Sequence, residues 1–142
     1  QLGPWLDFFW GVETGEATVR RAFEEAKQWV RENLLQLAPY LDEPQLEFVE
    51  TDDGWDVLRS VEEKKLKVNL KRIRWHLERE KIIKTCPKYD IETTLIHDLF
   101  EYCYIKHWNY PEDDPVTGWA VHHRARHIEN VLRRAKGLTD WI

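Results

Sequence analysis

The chain has 142 residues, of which 42% are hydrophobic and 33% charged, with a net charge of -5 and a pI near 5.7. That length fits one domain burying roughly 68–70% of the surface its unfolded form exposes, and the composition excludes a disordered, low-complexity or repeat chain. The acidic balance argues against nucleic-acid binding through a bulk positive field, and no run approaches the eighteen or so apolar residues of a membrane helix.

Residues 1 to 12 carry Trp5, Phe8, Phe9 and Trp10 around Gly3-Pro4 and read as an aromatic strap on the domain. The segment lacks the basic, apolar and small-residue sections of a signal peptide, so a cytoplasmic protein is expected, and Gln1 in place of Met reads as a processed or trimmed start. From Glu16 to Leu37, apolar residues at Val19, Ala22, Phe23, Ala26, Val30, Leu34 and Leu37 recur at helical spacing, with Thr14 as the cap and Pro39 and Pro44 beyond the end.

The period then drops to two. Leu46 to Val49, a turn over Thr51 to Gly54, and Trp55 to Val61 predict a hairpin, and Leu66, Val68 and Leu70, alternating with Lys67 and Asn69, predict a third strand. Ile73 to Ile83 suits either period and is taken as helix. Asp90, after Pro87, caps a helix from Ile91 to Trp108. An acidic loop follows, and Thr117 is expected to cap a last helix from Trp119 to Lys136, closed by Gly137. The expected fold is α+β in a single domain over residues 1–142: an N-terminal helix, a small three-stranded antiparallel or mixed sheet, then two or three packed helices.

Cys86 and Cys103 stand in no C-x-x-C spacing and are expected to be free thiols. The basic residues Lys64, Lys65, Lys67, Lys71, Arg72 and Arg74 read as the solvated side of the strand region, which leaves nucleic acid an unexpected partner. Asp113 and Asp114 lack the spaced oxygens of a calcium loop.

The helix from Ile91 to Trp108 carries the chemistry. His97 and Glu101 are one turn apart and border an arc of Leu95, Ile96, Leu99, Phe100, Cys103 and Tyr104. A carboxylate placed there needs a partner, because unpaired burial costs several kcal/mol, and side chains at i and i+4 project together as two ligands of one ion must. The last helix offers His123 and His127, also one turn apart, on the border of a face assigned to Ala120, Ile128, Val131 and Ala135. His122 falls on the other border, nearer Glu129. His97, Glu101 and His123 make two imidazoles and a carboxylate, the donor set of a catalytic zinc site with an open position, and His127 serves as a fourth ligand or an outer hydrogen-bond partner.

The run Thr94 to Tyr102, T-L-I-H-D-L-F-E-Y, follows a strand expected at an edge, Leu66 to Leu70, and precedes a His-bearing helix. In that order it resembles a zincin metallopeptidase core, over roughly Leu46 to Arg134. That family has H-E-x-x-H, two zinc ligands flanking a general base, with a third ligand on a later helix. The resemblance implies His97, Glu101 and His123 as ligands, Asp98 as base, and a peptide held by strand addition along 66–70. This chain has H-D-x-x-E instead, which shortens the base by one methylene and replaces an imidazole ligand by a carboxylate, so the resemblance covers a hydrolase or a non-catalytic relic of one. His107 has the spacing of an extended motif, but Tyr104 stands where a turn-making glycine is needed, and a continuous helix carries His107 about 15 Å away.

His97-Asp98 with Glu101 also resembles the H…HD…D phosphohydrolases, which implies His76 as the first ligand and leaves Asp113, Asp114 and Asp140 as loose candidates for the last. The third class is a structural or interaction protein whose aromatic N-terminus meets a partner while the histidines merely pack.

Overall fold

The computed structural model describes residues 13–141, so the aromatic strap expected over residues 1 to 12 lies outside the described residues. After a wide turn over Glu13–Ala17, kinked at Gly15, come α1 (Thr18–Asn33), a 3-10 turn (Leu35–Tyr40), β1 (Gln45–Val49), β2 (Val57–Ser60), β3 (Lys65–Asn69), α2 (Leu70–Ile82), α3 (Ile91–Trp108) and α4 (Pro115–Ala135). The architecture is α+β with a mixed sheet, as the change of hydrophobic period predicts.

α1 buries Val19, Ala22, Phe23, Ala26 and Val30, the stripe that the spacing specifies. It starts at Thr18 rather than Glu16, after Ala17 and without a side-chain cap, and stops at Asn33 because the chain tightens into the turn that contains Pro39. α3 is buried on nearly every side, packing on α1, α4, β2 and the 3-10 turn. Asp90 caps it by accepting from the Thr93 N–H at 3.0 Å, and Asn109, left-handed at φ 53, ends it. The cap of α4 is Asp114 rather than Thr117. Its carboxylate accepts from the Thr117 N–H at 2.8 Å, and Pro115 occupies the first turn. Gly137, at φ 78, closes the helix as expected.

The sheet order is β1-β3-β2, with β1 parallel and β2 antiparallel to β3. The hairpin expected between β1 and β2 is therefore formed between β2 and β3, around Lys64 with its φ of 56. The reason lies in Asn69, wholly buried at the end of β3. Its side chain accepts from the Thr51 N–H at 3.2 Å and donates to the carbonyls of Thr51 at 3.1 Å and Asp53 at 3.3 Å. The 51–54 turn is thus tied to β3 and carries the chain across the sheet instead of folding it back on β1.

Leu66 and Val68, both at 0% exposure, point into the core, while Lys65 and Lys67 face Glu47 and Glu63. Lys71 pairs with Asp52, Arg74 with Glu50, and Arg72 lies 3.7 Å from Asp56, so the basic stretch is largely answered by local carboxylates. β3 has a neighbour on both sides, so the segment 66–70 is not an edge and cannot accept an added strand. Among the described residues the edges are β1 and β2. No helix among the described residues is long and apolar enough to cross a membrane. Cys86 and Cys103 are both free, and burial pushes the Cys103 thiol up to about 12.

Candidate metal centre

α3 presents His97 and Glu101 to α4, and both are buried, at 6% and 4% exposure. His97 Nε2 lies 3.0 Å from Glu101 Oε2 and 3.1 Å from His122 Nδ1, and His122 Nδ1 lies 3.2 Å from the same Glu101 oxygen. Three donor atoms from two helices therefore form a nearly equilateral triangle. Tetrahedral zinc, with bonds near 2.0–2.1 Å, holds its donors about 3.3–3.4 Å apart. The triangle is within a few tenths of an ångström of that spacing.

Two of the three donors are held from behind. His97 Nδ1 is 2.8 Å from Glu129 Oε1, an arrangement that fixes the ring and leaves Nε2 as the donor. Glu129 is itself 2% exposed and accepts from Arg126 at 2.9 Å. Arg59 of β2 donates from Nε to Glu101 Oε1 at 3.2 Å, which leaves Oε2 to the triangle. Arg59 is in turn anchored by Glu112 at 2.8 Å, and the Glu112 carboxylate also accepts from the Val61 N–H at 2.9 Å.

Electrostatics follow from this crowding. Burial pulls the His97 imidazole down, but its hydrogen bonds to Glu101 and Glu129 more than offset that and raise its pKa to about 9. Burial pushes Glu101 up, yet His97 and Arg59 hold it below the usual carboxylate range. Asp98 keeps some accessible surface but is enclosed by protein, and burial, opposed by the charge of His97 and reinforced by Glu101, raises it to about 8. Burial and the neighbouring charge of His97 lower His122. The carboxylates of Asp98, Glu101, Glu112 and Glu129 outnumber the guanidinium groups of Arg59 and Arg126. Buried anions in that ratio need a bound cation, a bound proton, or both.

The triad opens into a cleft of about 450 Å³ bordered by Val57, Leu58 and Arg59 of β2, by Asp98, and by Arg126 and Trp141. Asp98 makes no hydrogen bond or ion pair with another described residue.

The structure brings together His97 and Glu101 as the sequence implies, and the third group of the cluster comes from the expected helix, but is His122 instead of His123. His123 and His127 are exposed, and the His123 ring lies 4.1 Å from that of Trp119. The outer partner of His97 is accordingly Glu129, not His127. The correction has one cause. The buried stripe of α4 is Val121, Ala125, Glu129 and Arg133, whereas Val131, assigned to the inner face by its hydropathy, is 47% exposed. Two charged residues in a buried stripe disguise it as a surface.

His76 does not join His97. Its Nε2 is 2.8 Å from Asp56 Oδ1 and its ring stacks on Tyr89 at 4.5 Å, in the adjoining pocket. His107 has a buried Nδ1 without a hydrogen-bond partner among the described residues and rings of Tyr40 and Trp108 against it. Asp113 is exposed, Asp114 serves as the cap of α4, and Asp140 pairs with Arg134, so none of them reaches the triad. The sequence reading missed Arg59, Glu112 and Arg126. Arg59 had a visible signal, a charge on the same strand face as the buried Val57.

Compared with protein-family models, with curated proteins and with solved structures, the chain finds no match in any of the three.

Proposed function

We propose that this protein is a metal-dependent hydrolase with a zincin-like use of its central helix, in which His97, Glu101 and His122 hold one zinc ion. The observation that supports the reading is the donor triangle of 3.0, 3.1 and 3.2 Å, backed by Glu129 on the far nitrogen of His97. A hydrogen-bond network alone leaves one contact without a bond: if His97 Nε2 and His122 Nδ1 each donate to Glu101 Oε2, both nitrogens carry a proton and face each other at 3.1 Å. A cation satisfies all three lone pairs at once.

When bound, such an ion supplies Lewis acidity, polarising a carbonyl and acidifying a water molecule. The protein's own groups do the rest. Asp98, on the cleft wall, would serve as the base only in its ionised form, which the charge of a bound cation nearby would favour against the burial that raises it; it would then accept a proton from that water and return it to the leaving group. Arg59 keeps Glu101 in its coordinating orientation, and the half-exposed His122 leaves one side of the triad open to the cleft. β2 is an edge strand and its Val57, Leu58 and Arg59 border the cleft, so an extended acyl or peptide substrate finds main-chain partners there.

A second reading has its own support: a protonated His97 between Glu101 and Glu129 makes a self-sufficient structural ion cluster in a non-enzymatic interaction protein. Elemental analysis of protein purified without added ions separates the two. Zinc near one per chain, together with a rate of ester or peptide hydrolysis that falls about 10²–10⁴-fold in Asp98→Asn at unchanged metal content, is the expected result. Protein that stays metal-free when dialysed against zinc overturns the proposal.

A further inference from the structure

A second pocket, of about 410 Å³, adjoins the cleft of the triad. Gly54, Asp56 and Trp141 line both, so the two are halves of one groove. Their charge balance differs. The triad half sets Asp98, Glu101 and Glu129 against Arg59 and Arg126, while the far half sets Arg72 and Arg79 of α2 against Asp56, which lines both.

The two arginines are arranged, not merely present. Arg72, Trp75 and Arg79 fall at i, i+3 and i+7 on one face of α2, with the guanidinium carbons 3.7 and 5.4 Å from the centre of the Trp75 ring. Stacking on an indole fixes the plane of a guanidinium while leaving its N–H groups free for planar, two-point recognition of an oxyanion. Arg72 Nε is shut off from solvent and makes no hydrogen bond, its nearest described carboxylate oxygen being Asp56 Oδ1 at 3.7 Å. That oxygen is already engaged by His76 at 2.8 Å. Arg79 has no ion pair with any described carboxylate. Along the same helix Lys71 and Arg74 are each closely paired with a carboxylate, whereas Arg72 has only the 3.7 Å contact with Asp56.

We infer that this pocket is a subsite for an oxyanion group, carboxylate or phosphate, at one end of the substrate, with Arg72 and Arg79 binding it while the scissile bond lies at the triad. This rests on the hydrolase reading for the role of the triad, but the subsite itself needs no metal. In the metal-free protein the carboxylates of the near half outnumber its arginines, so an anion is favoured at the far half and the groove imposes a direction on what it binds.

The test is a titration of the metal-free full chain with inorganic phosphate and, separately, with acetate, followed by ¹⁵N NMR of the indole and arginine Nε–H signals. Saturable shifts at Trp75, Trp141 and Arg79 are expected, weakened at least tenfold in Arg79→Gln. This variant sits on an exposed side chain, and its unchanged remaining spectrum shows that it folds. Phosphate binding without acetate binding indicates a phosphorylated substrate, and the reverse a carboxylate-terminated one. Failure of both anions to shift these signals, or equal binding by Arg79→Gln, overturns the subsite. Because no metal enters the titration, that result leaves the triad untouched, and a failure of zinc binding leaves the subsite standing.

Discussion

His76 and His97 are buried alike, at 7% and 6% exposure, on helices of the same domain, yet their neighbours differ in kind. His76 spends one nitrogen on Asp56 and its faces on Tyr89 and Trp141, a polar tip paired once and an aromatic body packed against rings. His97 has a carboxylate on each side and a second imidazole in front. Burial therefore does not distinguish a packing histidine from a candidate ligand. What distinguishes them is the convergence of several lone-pair donors on one point, with another group behind the ring to set its tautomer.

The most decisive way to break this comparison is to remove a donor on one side only. Glu101→Ala and His122→Ala each leave two donors, and zinc affinity measured by competition with a chromophoric chelator should fall by more than the ten- to hundredfold typical of an outer-shell change. Because Glu101 also holds Arg59, its removal should destabilise the metal-free fold as well, whereas His122→Ala, at a half-exposed side chain, should lose metal with little loss of stability. Metal binding that survives His122→Ala would return His97 to the same class as His76.

The next effect is on outer support. Glu129→Gln keeps a hydrogen-bond acceptor for His97 but removes the charge, and should weaken zinc binding about 10–100-fold with the three ligands in place. An unchanged affinity would mean that Glu129 is an ion-pair partner of Arg126 and nothing more.

Proton linkage sharpens the contrast without any substitution of ligands. The folded-state pKa of His97, about 9, is above the ordinary imidazole value of 6.5, so its contribution to the metal-free protein is complete below about pH 6.5 and is lost as pH rises through 9. Asp98, raised from 3.8 to about 8, acts in the same direction over an earlier window, since the folded state retains a proton that the unfolded chain has released. Glu101 has the opposite sign and acts only at the acid end: its stabilisation is present above about pH 4.5 and lost below it. Denaturant melts of metal-free protein should therefore lose stability between pH 6.5 and 9, by at most about 1.4 kcal/mol per pH unit for each linked proton. A flat profile in that range would contradict the charge assignment of the cluster.

How much of this was legible follows from what hydropathy can see. The boundaries of α3 were fixed by Asp90 and the residues around Asn109, and the pair His97 and Glu101 stood out because polar groups interrupt an otherwise apolar helix. The strands were legible for the same reason, through the alternation of Leu66 and Val68 with Lys67 and Asn69. Their partners were not, since the long-range bonds of Asn69 to Thr51 and Asp53 decide the order and leave no periodic trace. The third member of the geometric cluster, His122, is one residue from the expected His123, because Glu129 and Arg133 lie in the buried stripe of α4 and are charged. The candidate cluster buries charge, and this is the one arrangement that a hydrophobic pattern reads inside out.

The smallest expected effect tests the other half of the comparison. His76→Phe keeps a ring of similar size between Tyr89 and Trp141, so the stacking area survives, while the 2.8 Å bond to Asp56 is lost. Asp56 then retains Arg72 Nε at 3.7 Å, a distance that a small rotation of the guanidinium shortens to a hydrogen bond. Partial replacement of this kind limits the cost to about 1 kcal/mol, the net worth of an ordinary intramolecular hydrogen bond, instead of the larger penalty of a stranded buried carboxylate. Zinc content should be unaffected, because no atom of His76 belongs to the triad. A variant that folds, melts near the parent and yet loses its metal would show that His76 takes part in coordination, and the phosphohydrolase arrangement with His76, His97 and Asp98 would replace the one proposed here.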